Sequence, residues 1–185
     1  MTLFEAIDYS EKKSEQHEFD DCSFVNCNFS KSDLRGVEFL DCRFTGCNLS
    51  LALVDDTGIK NIEFKDCKLM GIDFSKCNDF LFSASFENCQ LDYCSFYKKK
   101  MKKVNFSKSS LKHVDFTETD LSLAVLNECD LADAIFVQTI LEKTDFRTAR
   151  NYAFDPEVNK VKKARFSMPE VVGLLSKYNI DIEQH

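Results

Sequence analysis

The sequence predicts a repeat protein, a chain that turns tightly at fixed intervals around a filled interior, and three observations lead there. An apolar residue returns at every fifth position from Phe19 to Phe74, and again from Leu81 to Phe146 after a two-residue shift at Asp79. The residue two places before each of these centres is mostly slim (Cys, Ser, Ala, Thr or Val), and all nine cysteines occupy that slot if Cys77 is counted with the broken unit. The 185 residues include 18 Phe but only 5 Gly and 2 Pro, so conventional turns are scarce in a chain rich in aromatics. A helix repeats at 3.6 residues and a strand at 2, so neither sets a period of five.

Length and composition bound the rest. The chain fits one ordinary domain. A hydrophobic fraction of 44% excludes wholesale disorder. No apolar run reaches the length of a membrane span, and residues 1–16 lack the apolar core of a signal peptide. A net charge of -7 and a pI near 5.0 argue against direct nucleic-acid binding.

The units themselves carry a resemblance. The pattern small–(Asp/Asn)–(Leu/Phe)–x–x, as in Cys27–Lys31 (Cys-Asn-Phe-Ser-Lys) and Ala84–Asn88 (Ala-Ser-Phe-Glu-Asn), resembles the pentapeptide-repeat family from about Phe19 to Arg150. The resemblance implies an all-β fold, a right-handed quadrilateral parallel β-helix with four repeats per coil. Twenty-residue spacing then makes vertical columns. One is Phe24, Phe44, Phe64, Phe86, Phe106, Leu126 and Phe146; a slim one is Cys27, Cys47, Cys67, Cys89, Ser109 and Cys129.

Such cysteines are packing groups rather than metal ligands or a disulfide framework. Their spacing is not that of zinc sites, and thiols stacked one coil apart are poorly placed for a disulfide. Nine free thiols point to a reducing compartment, the cytoplasm.

The expected organisation is an N-terminal cap at 1–16, the β-helix at 17–150 with a slip at 78–83, and a loop, helix and terminal strand at 151–185. Leu3, Phe4 and Ile7 would cover the first coil. At the slip, two extra residues bulge outward, and one coil later Lys99 falls in a slim slot. A buried unpaired ammonium is costly, so Lys99 should snorkel out. Phe80, Phe82 and Lys99 could then form a recognition knob; an insertion without a role is the plainer reading. Ser167–Glu170 reads as a capping box opening a short α-helical cap to about Tyr178, with Ile180 and Ile182 alternating as a strand. Outward apolar residues in the last coils (Leu123, Val125, Ile135, Val137, Ile140) need cover, either from the tail folded back on its own coil or from a second chain related by two-fold symmetry. Topoisomerase-protecting pentapeptide proteins finish in a similar Leu-rich helix, which implies a homodimer through Val171, Leu174, Leu175 and Tyr178.

Chemistry is thinly supported. His17, His113 and His185 are scattered, no catalytic or cofactor motif is present, and a filled rod offers no concave pocket. The expectation is a non-enzymatic binding protein with no cofactor and no metal. Charge is uneven: from Lys98 to Lys112 there are seven Lys and no acid, within an otherwise acidic chain. An acidic rod can imitate duplex DNA to a protein that reads phosphates. The resemblance to quinolone-resistance members implies such mimicry toward DNA gyrase and topoisomerase IV, with Asp55, Asp56, Asp73, Asp115 and Glu118 as the imitating groups. The alternative is a scaffold or assembly module.

Overall fold

The computed structural model describes residues 1–183 and is a right-handed quadrilateral parallel β-helix. Ten strands of three or four residues lie along it: β1 Thr2–Glu5, β2 Glu18–Asp20, β3 Cys22–Val25, β4 Glu38–Leu40, β5 Arg43–Thr45, β6 Gly58–Lys60, β7 Ile62–Lys65, β8 Ala84–Glu87, β9 Asn105–Ser107 and β10 Val125–Asn127. One side is a seven-stranded parallel sheet, β1-β3-β5-β7-β8-β9-β10, and another is β2-β4-β6. The remaining stretches stack through single parallel bridges such as Asn28↔Asn48 and Asp115↔Ile135. Register advances by twenty residues per coil (Phe24↔Phe44) and by twenty-two across the slip (Phe64↔Phe86). The four sides are called here the Phe24, Phe29, Leu34 and Phe39 faces, after one centre on each.

Five-residue periodicity arises because each unit makes one side and one corner. The residue two after the centre turns the corner in the left-handed region, with φ of 54° at Asn26, 51° at Asp41 and 53° at Gln138. Its N–H then reaches the next coil, as from Asn26 to Thr45 O at 2.8 Å. Only Gly36, Gly46 and Gly71 fill such corners without a Cβ, so most corners hold a disfavoured conformation. Gln138→Gly is therefore expected to raise the unfolding free energy by about 1 kcal/mol in urea titrations.

The Asp or Asn before the centre has a structural task. Its side-chain oxygen accepts the N–H two residues on, as Asn28 from Ser30 (3.1 Å) and Asp115 from Thr117 (2.8 Å). The slim residue is also a donor where chemistry allows. Cys42 Sγ reaches Phe19 O at 3.3 Å, and Thr119 Oγ1 reaches Phe96 O at 2.7 Å, each bonding the coil before.

Inside, the aromatic column is unbroken from Phe4 to Phe106, with stacked centroid distances of 4.7 Å for Phe24–Phe44 and 4.9 Å for Phe86–Phe106. All nine cysteines are buried free thiols. Burial pushes the Cys77 and Cys94 thiols up to about 12. The unfolded chain loses these protons above about pH 9 while the fold retains them. Stability should hold below pH 9 and fall between 9 and 12, by roughly 1.4 kcal/mol per pH unit for each such thiol. Urea midpoints measured across that range test this.

Both ends differ from expectation. Residues 1–16 wind as a coil rather than a cap: β1 pairs with β3, Phe4 stacks on Phe24 at 4.9 Å, and Tyr9 on Phe29 at 4.6 Å. Leu3 and Ile7 stay exposed. Coils also continue beyond Arg150, with Lys160 bridged to Ile140 and Phe166 stacked on Phe146 at 5.3 Å. The C-terminal helix is present at Val171–Tyr178 but wound as a 3₁₀ helix. Its capping box does not form, because Glu170 Oε2 instead accepts the Asn151 N–H at 2.8 Å. Ile180 and Ile182 are exposed coil, not strand. His185 lies outside the described residues. No helix among the described residues is long and apolar enough to cross a membrane.

Candidate interaction surface

The slip is where the structure departs most from a plain tube. Its two extra residues do bulge outward, leaving Phe80 and Leu81 at 66% and 64% exposure. Leu81, expected as a centre, is thus outside, and half-buried Phe82 packs against Phe74 at 6.3 Å in its place. Two residues, Phe80 and Leu81, lie between Asp79 and Phe82, and the chain needs that length to leave the wall and re-enter it.

Lys99 does not snorkel. It is 1% exposed, and its ammonium donates to Cys77 O and to Asp79 Oδ1 (2.6 Å), 5.3 Å from the centre of the Phe82 ring. The sequence reading assumed an unpaired charge. The slip itself supplies the partners, since it releases the Cys77 carbonyl and puts an acid where an apolar centre belongs. Of the expected knob, only Phe80 remains outside; Leu81 joins it, and Lys99 is the tie that holds the bulge down. A groove of about 90 Å³ beside the bulge, lined by Phe82–Ala84 and Lys100–Val104, is well below the ~300 Å³ of ordinary ligand pockets.

The five acids proposed as phosphate mimics do share one side, the Leu34 face, where Asp73, Ser95, Asp115 and Ile135 stack in register. They do not form an uninterrupted anionic strip. Lys76 lies 3.9 Å from Asp55 and 3.8 Å from Asp73, and Lys98 lies 3.6 Å from Glu118. Asp73 and Asp115 also accept backbone N–H bonds within their own units. Asp56 is exposed. On the same side, the Arg35 guanidinium holds the Asp33 carboxyl down at about 2.

The lysine run does not make a patch, because fifteen residues wrap three sides of one coil. Lys98 faces Glu118, Lys99 is internal, Lys112 lies 3.3 Å from Asp130, and Lys100, Lys102 and Lys103 project from the Phe39 face. His113 stacks on Tyr93 at 4.7 Å with Asp133 at 3.7 Å, a surface arrangement.

The C-terminal helix docks on its own chain. Leu174 packs against the core, and Lys177 reaches Asp155 (2.8 Å) and Glu157 (2.7 Å). Gly173 lies flat on the Tyr152 carbonyl, where a Cβ would be 1.8 Å from the oxygen. Val171 is half-buried, while Leu175 and Tyr178 remain exposed. Exposed Leu123, Val125, Ile135 and Val137 and half-buried Ile140 are divided among three faces rather than gathered in one patch.

Sequence comparison agrees with this architecture. The family described as pentapeptide repeat region matches residues 17–96, and that described as pentapeptide repeats (8 copies) matches 84–122 and 109–147. The chain belongs to the pentapeptide-repeat family. No curated protein matches it by sequence. Among solved structures, it is similar to trypsin-treated QnrB1, a plasmid-mediated fluoroquinolone resistance protein. That match has 20% identity and a TM-score of 0.50, covering 97% of this chain and 99% of that one. It also resembles HetL, a pentapeptide repeat protein involved in heterocyst differentiation regulation in the cyanobacterium Nostoc, at 12% identity and a TM-score of 0.40, with 89% and 86% covered. At such identities the likeness is one of fold.

Proposed function

We propose that this pentapeptide-repeat protein is a non-enzymatic binding rod that presents a rigid side to a protein partner, without cofactor or metal. In its most specific form the partner is a type II topoisomerase, DNA gyrase or topoisomerase IV, engaged in place of duplex DNA and thereby shielded from quinolones in the cytoplasm. One observation carries this reading: Asp55, Asp56, Asp73, Asp115 and Glu118 all lie on one face of the coil, the Leu34 face. The QnrB1-like fold adds support at the level of architecture only.

Purified protein should then inhibit gyrase supercoiling, or protect it from a quinolone, more strongly at low salt than at high salt. Asp115→Lys combined with Glu118→Lys should abolish capture of the topoisomerase. No effect at micromolar protein would remove this reading. A scaffold or assembly module would remain, and the placement of Lys76 and Lys98 among those acids favours it. A dimer through the C-terminal segment would have to rest on Leu175 and Tyr178, since Leu174 is engaged within its own chain.

A further inference from the structure

The Phe39 face has a charge pattern that nothing within one chain explains. Eight rungs climb it from Phe19 to Val161, and each can expose three side chains: the residue before the centre, the one after it, and the corner residue. The first two rungs carry Glu18, Asp20, Asp21 and Asp41, together with Glu38, which Lys60 already pairs at 2.7 Å. The last two carry Lys143, Lys160, Lys162 and Lys163, all exposed, with a single acid, Glu142, among them. Past one rung that holds Asp120 instead, Lys100, Lys102 and Lys103 bring positive charge to the middle, where Phe80 and Leu81 protrude. Among the described residues, none of these seven lysines makes an ion pair within the chain, and neither do Glu18 and Asp20; Asp21 meets only the Met1 amino group. Like charges stacked at about 4.8 Å repel one another.

A two-fold axis lying in this face, perpendicular to the rod, relieves the pattern. It reverses the order of rungs but keeps each column opposite itself. In the column before the centre, Glu18 then meets Lys160 of the other copy. In the column after the centre, Asp20 meets Lys162. In the corner column, Asp21 meets Lys163 and Asp41 meets Lys143. Every one of these pairs is opposite in sign. Near the axis, Phe80 comes opposite Lys102 in the column after the centre, repeating between copies the contact that Lys60 makes within the chain, 5.5 Å from the Phe80 ring centre. A parallel pairing would instead set like charges against one another, acids at the first rung and lysines at the Lys100–Lys103 and Lys160–Lys163 rungs.

We infer that the Phe39 face is a self-pairing surface through which two copies of this chain associate side by side and antiparallel. This contact is separate from the C-terminal segment and leaves the Leu34 face open to another partner. A face on the order of 35 Å long and 15 Å wide buries about 1,000 Å² in total, the lower end for a specific interface, so the pair is reversible and salt-sensitive.

Sedimentation of the full chain tests it. The wild type should dimerise at about 0.05 M salt and at least tenfold more weakly at about 0.5 M. Lys160→Glu/Lys162→Glu/Lys163→Glu should be monomeric alone, and so should Glu18→Lys/Asp20→Lys/Asp21→Lys. Mixed one to one, they should form a heterodimer. These positions are on the surface, so the variants should retain the wild-type circular dichroism spectrum. Phe80→Ser with Leu81→Ser should weaken the pair several-fold without shifting thermal unfolding. A wild type that stays monomeric at every salt overturns the inference. So does a dimer indifferent to both reversals, which would place the contact at the C-terminal segment. Retention of a monomeric wild type on heparin through the same lysines would instead assign the face to polyanions.

Discussion

Phe106→Ala is expected to lower the unfolding free energy by about 4 kcal/mol, close to the largest loss a single core truncation produces. Phe106 is fully buried in the middle of the rod. It stacks on Phe86 at 4.9 Å and meets the edges of Phe96 and Phe116 at 6.1 and 6.2 Å. The coils above and below are fixed to each other by backbone bonds at a set rise, so the walls cannot close on the hole. Phe106→Leu should cost only about 1 kcal/mol, because Leu126 already fills the same column one coil away. Urea unfolding of the two variants measures this. A loss under 1 kcal/mol for the alanine variant would mean that the interior is loosely filled.

Deleting either side of the Lys99–Asp79 pair should have unequal consequences. Asp79 is 83% exposed, whereas Lys99 is 1% exposed. Asp79→Ala leaves a buried ammonium with one carbonyl and a ring face, and should cost about 3 kcal/mol. Lys99→Met leaves a solvated carboxylate, an apolar filler and the Cys77 carbonyl without its donor, and should cost only about 1–2 kcal/mol. The double variant should recover part of the Asp79→Ala loss. Equal losses in the two single variants would show that Lys99 is hydrated through the bulge.

The repeat was legible because the side-chain alternation is strict: a large apolar centre and a slim neighbour can recur every five residues only on a four-sided coil. What escaped the reading were places where another group fills a standard slot. Ser14 occupies a centre position, which hides the first coil although Phe4 and Tyr9 keep the phase. Asn151 and Pro156 occupy two more, and Tyr152 and Phe154 fill the tube out of phase. At the slip, hydrophobicity cannot rank Leu81 against Phe82, since only the reach of the bulge decides which returns. The role of Lys99 had a visible signal: an acid in a centre slot at Asp79, with a lysine in a slim slot one coil later. Asp73 and Asp115 were read as outward charge because sequence alone does not reveal that an acid before the centre holds its own unit's backbone.

The central claim is that slim residues, the nine thiols among them, face inward beside the phenylalanines and leucines of a filled tube. Titration with a disulfide reagent at neutral pH, before and after denaturation, tests it most directly. The account predicts almost no labelling of the native protein and nine thiols released together on unfolding. Several thiols reacting within minutes in the native state, or fewer than nine after denaturation without reductant, would contradict it.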